Sequence, residues 1–254
     1  MKKIPFFHSL ISTGPFDQFI QQIIRFGQQR QSAYTCCVNV HMVVESKKDQ
    51  TLRDAVNQAD LATPDGMPLC KVMQFKQGIQ QDRVAGMDMF PILLDEAAQK
   101  GVGVFFYGDT PKTLAKLTAK VREEFPDIRI AGSYSPPFRN LSQEEETDII
   151  EIINQSGTGL LFVALGCPKQ EKWMARHKGL IRASMIGVGN AFRTYLGMEK
   201  RAPVWMQKMA LEWLYRFAQN PGRLWKRYVF TNAAFLMLLL RNSSHVQPQS
   251  FSAE

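Results

Sequence analysis

The stretch LLFVALGCPKQEKWMARHK, residues 160–178, sets the fold class. Its first six residues are an unbroken apolar run, the signature of a strand covered on both faces of a sheet. Gly166 closes the run. From Pro168 onward the polar and apolar residues take helical spacing, with the proline where the first turn of a helix accepts it. Outward from this unit, residues 34–40, 102–107 and 185–188 read as further buried strands, and residues 51–61, 90–100, 111–125 and 142–154 as helices. Such alternation predicts an α/β fold around a mainly parallel sheet.

The 254 residues are 45% hydrophobic and 21% charged, a globular rather than a disordered composition. The formal net charge of +8 points to an anionic partner. Between Lys200 and Arg241 there are eight basic residues and one acidic residue, Glu212, so nearly all of the excess lies there. The same segment carries Trp205, Trp213, Tyr215, Phe217, Trp225, Tyr228, Phe230 and Phe235. The expected division is a core over 1–199, a basic aromatic appendage over 200–241 and a flexible polar tail over 242–254. Residues 1–30 read only as an edge strand or a packing helix.

Cys36, Cys37, Cys70 and Cys167 form no C-x-x-C pair, which suits a reducing compartment. The first residues lack the apolar core of a signal peptide. Near the other end the uncharged run at 228–240 has 13 residues, against the roughly 20 that a membrane span needs. A cytoplasmic protein that lies on a membrane surface without crossing it is expected.

In open α/β sheets, ligands bind beyond the carboxyl ends of the strands. The candidate site is therefore the loops that follow them: Gly108-Asp109-Thr110-Pro111, Gly166-Cys167-Pro168-Lys169-Gln170 and Gly187-Val188-Gly189-Asn190. The last stops short of the dinucleotide fingerprint, because Phe192 stands where the third glycine belongs. It fits a packing turn as well as a phosphate loop. No Walker loop, no D-x-D pair and no His/Cys cluster with metal spacing occurs in the chain. No metal or other cofactor is expected, and leaving-group charge in phosphate chemistry would fall to Arg, Lys and backbone N–H groups. Asp65 in Ala62-Thr63-Pro64-Asp65-Gly66 reads as a turn or capping residue or as a working carboxylate. Arg83 and Asp88, flanking Gly86, read as a surface ion pair or as ligand contacts. Lys169 and Gln170 read as capping residues or as phosphate and sugar ligands. Arg223, Lys226 and Arg227 fall at i, i+3 and i+4, on one helical face.

Taken in order, several motifs resemble the WecG/TagA/CpsF glycosyltransferases, glycosyltransferase family 26. They are Val38-Asn39, Thr63-Pro64-Asp65-Gly66, Arg83-Val84-Ala85-Gly86-Met87-Asp88, Ala164-Leu165-Gly166-Cys167-Pro168-Lys169-Gln170-Glu171, Gly187-Val188-Gly189, Arg201-Ala202-Pro203, and Leu211-Glu212-Trp213-Leu214-Tyr215-Arg216 continuing to Pro221, Arg223 and Tyr228. The resemblance spans about residues 35–227. It implies a Rossmann-like core and metal-independent, inverting transfer of a sugar from a UDP-sugar to a polyprenyl-diphosphate-linked saccharide, for a cell-surface polymer. The donor sugar would be N-acetylmannosamine or a related hexose or uronic acid.

Carried to this chain, the resemblance makes Asp65 the general base. Asn39, Arg83, Asp88 and Gln170 would line the donor pocket, together with Cys37, Gly86, Gly108, Lys169, Gly187 and Gly189. Arg216, Arg223, Lys226 and Arg227 would face the acceptor diphosphate. An anionic membrane at the inner face of the cell is the implied docking surface, no nucleic acid is expected, and a homo-oligomer stays open. Three positions depart from the family pattern. Cys37 stands where Thr is frequent, Arg193 where an Asp follows the Phe, and Gly222 where a basic residue is common. A catalytically silent nucleotide-sugar binder is the alternative these departures keep alive. A nucleic-acid module is a weaker one, because it gives the Pro-Asp-Gly and Pro-Lys-Gln-Glu loops no role.

Overall fold

The computed structural model describes residues 1–219 and 221–241, except the side chains at 223, 224, 226, 227 and 241. The expected tail, 242–254, lies outside the described residues. In chain order the elements are β1 (Lys3–Phe6), β2 (Ser9–Ser12), α1 (Phe16–Gln28), β3 (Ala33–Val38), α2 (Val40–Glu45), α3 (Gln50–Gln58), β4 (Leu61–Pro64), α4 (Met67–Gln77), α5 (Gly86–Gln99), β5 (Val104–Gly108), α6 (Pro111–Glu124), β6 (Ile130–Tyr134), α7 (Gln143–Gln155), β7 (Leu160–Ala164), α8 (Lys169–His177), β8 (Ser184–Gly187), α9 (Ala191–Tyr195), α10 (Val204–Lys208), α11 (Glu212–Gln219) and α12 (Pro221–Arg241).

Six strands form one parallel sheet in the order β4-β3-β8-β7-β5-β6. Helices cover both faces, as the α/β expectation requires. Side chains alternate along each inner strand. Tyr34, Cys36, Phe105, Tyr107, Leu161 and Val163 enter one core with α2, α3, α7 and α8. Cys37, Val104, Phe106, Leu160, Phe162 and Ile186 enter the other with α1, α5, α6 and α9. In the second core Phe90 meets Phe106, Phe162 and Phe192 at ring separations of 6.2, 4.9 and 5.4 Å. The first core also takes Phe235 and Leu238 of α12, so the far end of the basic segment is packed against the sheet domain.

Three expectations need correction, and residues 1–30 take a form that the sequence left open. The strand expected to 40 ends at Val38, and Val40 already belongs to α2. The helix expected to 61 ends at Gln58, and Leu61–Pro64 is a strand, β4, rather than the start of a turn. Its four residues are all buried at the sheet's edge, where a proline's missing N–H breaks no ladder on the outer side. Residues 1–30 form an antiparallel hairpin, β1–β2, apart from the main sheet, followed by α1. α5 begins at Gly86, not 90, so the Arg83–Asp88 motif straddles a loop and a helix start. β6 goes beyond the expectation, being a half-exposed edge strand with Gly132 at its centre, which obscures its pattern.

Candidate active site

β3 and β4 run side by side with Val38 opposite Pro64, so the residues that follow them, Asn39 and Asp65, leave the sheet together. The Asp65 N–H donates to the Val38 carbonyl at 2.8 Å. Asn39 caps α2, its Oδ1 accepting from the Met42 N–H at 3.1 Å, as a short polar side chain does at that position. The chain carrying Arg83 lies alongside. The Val84 N–H donates to the Pro64 carbonyl at 3.0 Å, and the Thr63 hydroxyl to the Val84 carbonyl at 2.8 Å.

Around Asp65 the charges interlock. Arg83 donates to Asp88 at 2.6 Å, to Glu212 at 2.9 Å and to Gln207 at 2.8 Å. Arg201 pairs with Asp88 and also reaches Gln207 at 3.1 Å. Arg216 donates to the other oxygen of Glu212 at 3.0 Å and lies 3.3 Å from the Met87 sulfur. Among the described residues, no hydrogen bond or ion pair engages the Asp65 carboxyl. Burial pushes that carboxyl up to about 8, with Glu212 adding to the rise, Arg216 and Arg83 opposing it, and Asp88 adding again.

The β5, β7 and β8 ends are made differently. Gly187 lets the Gln170 side chain lie across β8, since a Cβ there would stand 2.9 Å from the Gln170 Nε2. Gln170 is buried and tied at both ends: its Oε1 accepts from the Gly166 N–H at 3.2 Å, and its Nε2 donates to Glu171 at 2.8 Å. Glu171 has no exposed surface, and burial raises its carboxyl above the ordinary range. Gly108 has φ +110°, and a Cβ there would lie 2.5 Å from the Ala164 carbonyl oxygen. Gly189 has φ +55°. Gly86 brings α5 close to the Val188 backbone and the Cys37 thiol, each about 3.3 Å from a built Cβ. Cys37 itself is buried in the floor beneath this edge, its thiol pushed up chiefly by burial. Lys169 is exposed at the start of α8, and the peptide bond before Pro168 is cis. Proline is therefore the residue before α8 and not its first.

Arg193 forms a two-pronged pair with Asp109, at 2.8 and 2.9 Å. Burial alone would raise the Asp109 carboxyl, but the guanidinium and the Thr110 N–H outweigh it and hold it below the usual range. The base that replaces an acid at 193 thus brings its own acid from the β5 end.

Of the residues expected at the site, the structure brings Asn39, Asp65, Arg83, Asp88 and Arg216 together at the β3–β4 end. Gly108, Gln170, Gly187 and Gly189 gather at the other end. Arg223, Lys226 and Arg227 lie on the α12 backbone, and their side chains are outside the described set. Sequence reasoning assigned no role to Glu212, Gln207 or Arg201. The available signals were the place of Arg201 and Glu212 within the resembling motifs and the standing of Glu212 as a single acid in a basic segment, whereas Gln207 had none. Among the described residues no group of three or more His, Cys, Asp or Glu is placed to hold a metal ion.

The profile of the Glycosyl transferase WecG/TagA/CpsF family matches residues 4–248. The N-acetylglucosaminyldiphosphoundecaprenol N-acetyl-beta-D-mannosaminyltransferase of Bacillus subtilis (strain 168) is 32% identical over 225 residues, 88% of this chain and 84% of its own. The enzyme of the same name from Bacillus spizizenii is 34% identical over 200 residues, covering 78% and 76%.

Proposed function

The chain belongs to the WecG/TagA/CpsF family of glycosyl transferases and is a hexosyltransferase, and from that premise we propose its reaction. It transfers N-acetylmannosamine, or a related hexose or uronic acid, from a UDP-sugar to a polyprenyl-diphosphate-linked saccharide, with inversion and without a metal. The acceptor follows the two relatives, whose names specify a diphosphoundecaprenol-linked N-acetylglucosamine.

One observation carries the reading: Asp65 is a carboxyl at the carboxyl edge of the sheet, without a hydrogen-bond or ion-pair partner among the described residues and set among Arg83, Arg216, Glu212 and Asp88. A carboxylate that titrates near neutrality is matched to general-base work. It takes the proton of the acceptor hydroxyl as that oxygen bonds to the anomeric carbon. The anomeric C–O bond breaks on the opposite side, and its electron pair leaves with UDP. A single displacement inverts the centre. Arg83 and the backbone N–H groups of the glycine turns oppose the charge that grows on the departing diphosphate, while Arg216 faces the diphosphate of the acceptor. Because Asp65 must be ionised to act, kcat/KM rises with pH through about 8.

Among the described residues no helix is long and apolar enough to cross a membrane. Trp205, Trp213, Trp225, Val229, Phe230 and Leu236 nevertheless stand exposed on α10–α12. Interfacial aromatics among cations suit a headgroup layer, which supports peripheral docking at the inner face of the membrane, where a lipid-linked acceptor resides. The test is a panel of UDP-sugars with a short-chain polyprenyl-diphosphate saccharide, with and without EDTA. Transfer from one donor that survives EDTA is expected. Binding of UDP without transfer from any donor would point to the silent binder instead.

A further inference from the structure

Glu212 is the first residue of α11, where the free N–H groups of a helix start favour a carboxylate. That explains an acid at this position but not the two partners it has taken. One oxygen accepts from Arg83 at 2.9 Å and the other from Arg216 at 3.0 Å, and the carboxyl is only one-fifth exposed. Arg83 and Arg216 come from opposite ends of the chain, 133 positions apart by their numbering, and Glu212 alone bridges them among the described residues. Asp65 faces these same charges: Glu212 and Arg216 from α11, Arg83 from the loop before α5, and Asp88 from α5. Cys37 of β3 and Cys70 of α4 are the other titratable groups against it.

We propose that Glu212 is a positioning residue for the transfer. By bridging Arg83 and Arg216 it holds both guanidiniums off Asp65, so that the Asp65 carboxylate is free to take the acceptor's proton. The proposal rests on Asp65 as the base and adds what keeps it one. A guanidinium released beside a carboxylate pairs with it and strengthens it as an acid, commonly by about 1–3 pH units. Its basicity falls by the same amount, and general-base catalysis weakens with it. Glu212 prevents this by occupying the donors and by adding a like charge at the Asp65 side.

The pH profile of kcat/KM separates this role from simple structural support. In the full-length chain, Glu212→Gln keeps the shape but removes the charge. The rising limb is expected to move at least one unit toward acid, with about a tenfold loss on the plateau. Glu212→Asp, too short to span both arginines, should move the limb the same way by less, and it serves if the Gln variant does not fold. Following the Asp65 carboxyl by carbon NMR in labelled protein reads the same shift without turnover. An unmoved Asp65 titration in both variants, or a rate loss equal at every pH, overturns the proposal. Undiminished turnover in Asp65→Asn would instead overturn the base assignment, so the two failures are distinguishable.

Discussion

At the β5, β7 and β8 ends the carboxyl edge is backbone: Gly108, Gly166 and Gly189 turn the chain, and Gln170 lies over Gly187, locked by Gly166 and Glu171. At the β3 and β4 ends it is charge: Asp65, Arg83, Asp88, Arg201, Glu212 and Arg216. The first half is set by packing against the aromatic and aliphatic cores, and beyond residue 189 it draws on Phe192 in that core and on Arg193, which pairs with Asp109. The second is incomplete without residues 201–216, because Arg201, Gln207, Glu212 and Arg216 all come from that segment. The two halves can thus be disturbed separately.

The comparison breaks most visibly at Asp65. Asp65→Asn should cut turnover about 10²–10⁴-fold while UDP affinity, measured by calorimetry, stays within a factor of two or so of the parent. The same variant should be the more heat-stable protein. Asp65 titrates at about 8 when folded and at about 3.9 when unfolded. The folded state therefore holds its proton more tightly, and the parent loses stability as pH rises through that window. Asparagine cannot ionise, so the gap in Tm should open between about pH 4 and 8 and then level off. A gap that stays constant with pH would mean that the carboxyl is ionised throughout.

On the glycine side the expected losses are smaller and fall on the donor. Gly187→Ala places a methyl 2.9 Å from the Gln170 amide and 2.8 Å from Met174, and should raise the donor KM about tenfold with acceptor KM unchanged, a shift of the order of 1.4 kcal/mol. An equal rise in both constants would dissolve the division of the edge. Gly108→Ala meets backbone rather than a movable side chain, at φ +110°. Such strain costs about 1–3 kcal/mol, read as a fall in Tm.

Arg193→Gln removes the two-pronged hold on Asp109 and should weaken UDP binding only a few-fold, since the pair is partly exposed. Smallest in chemical effect are Trp205→Ser and Phe230→Ser, both on exposed sites. Sedimentation with anionic vesicles should fall several-fold while the rate on a detergent-dispersed short-chain acceptor holds. Unchanged sedimentation would remove α10–α12 as the docking surface.

Much of the fold was legible because β3, β5, β7 and β8 are interior strands, and strands covered on both faces are written as continuous apolar runs. β4 was not. Four residues ending in Pro64, directly after a helix, carry no period of their own, and only pairing with β3 makes them a strand. The ordered motifs named Asn39, Asp65, Arg83, Gln170 and Arg216 as candidates through the family resemblance. They left open whether Arg83 and Asp88 form a salt bridge or contact a ligand, and the structure shows the pair at 2.6 Å with Glu212 and Arg201 attached.

By itself the sequence determined the α/β class, the line of loops at the carboxyl edge and the charge of the C-terminal segment. Each of these is a local property, readable from the period of apolar residues, from glycine and proline, and from counting charges. Tertiary structure alone decided that Glu212 joins Arg83 to Arg216, that Arg193 finds Asp109, and that Asp65 lies among Glu212, Arg216, Arg83 and Asp88. Those facts depend on segments 84 to 151 positions apart meeting in space. An ionisable group takes its working character from the burial and charges that surround it after folding.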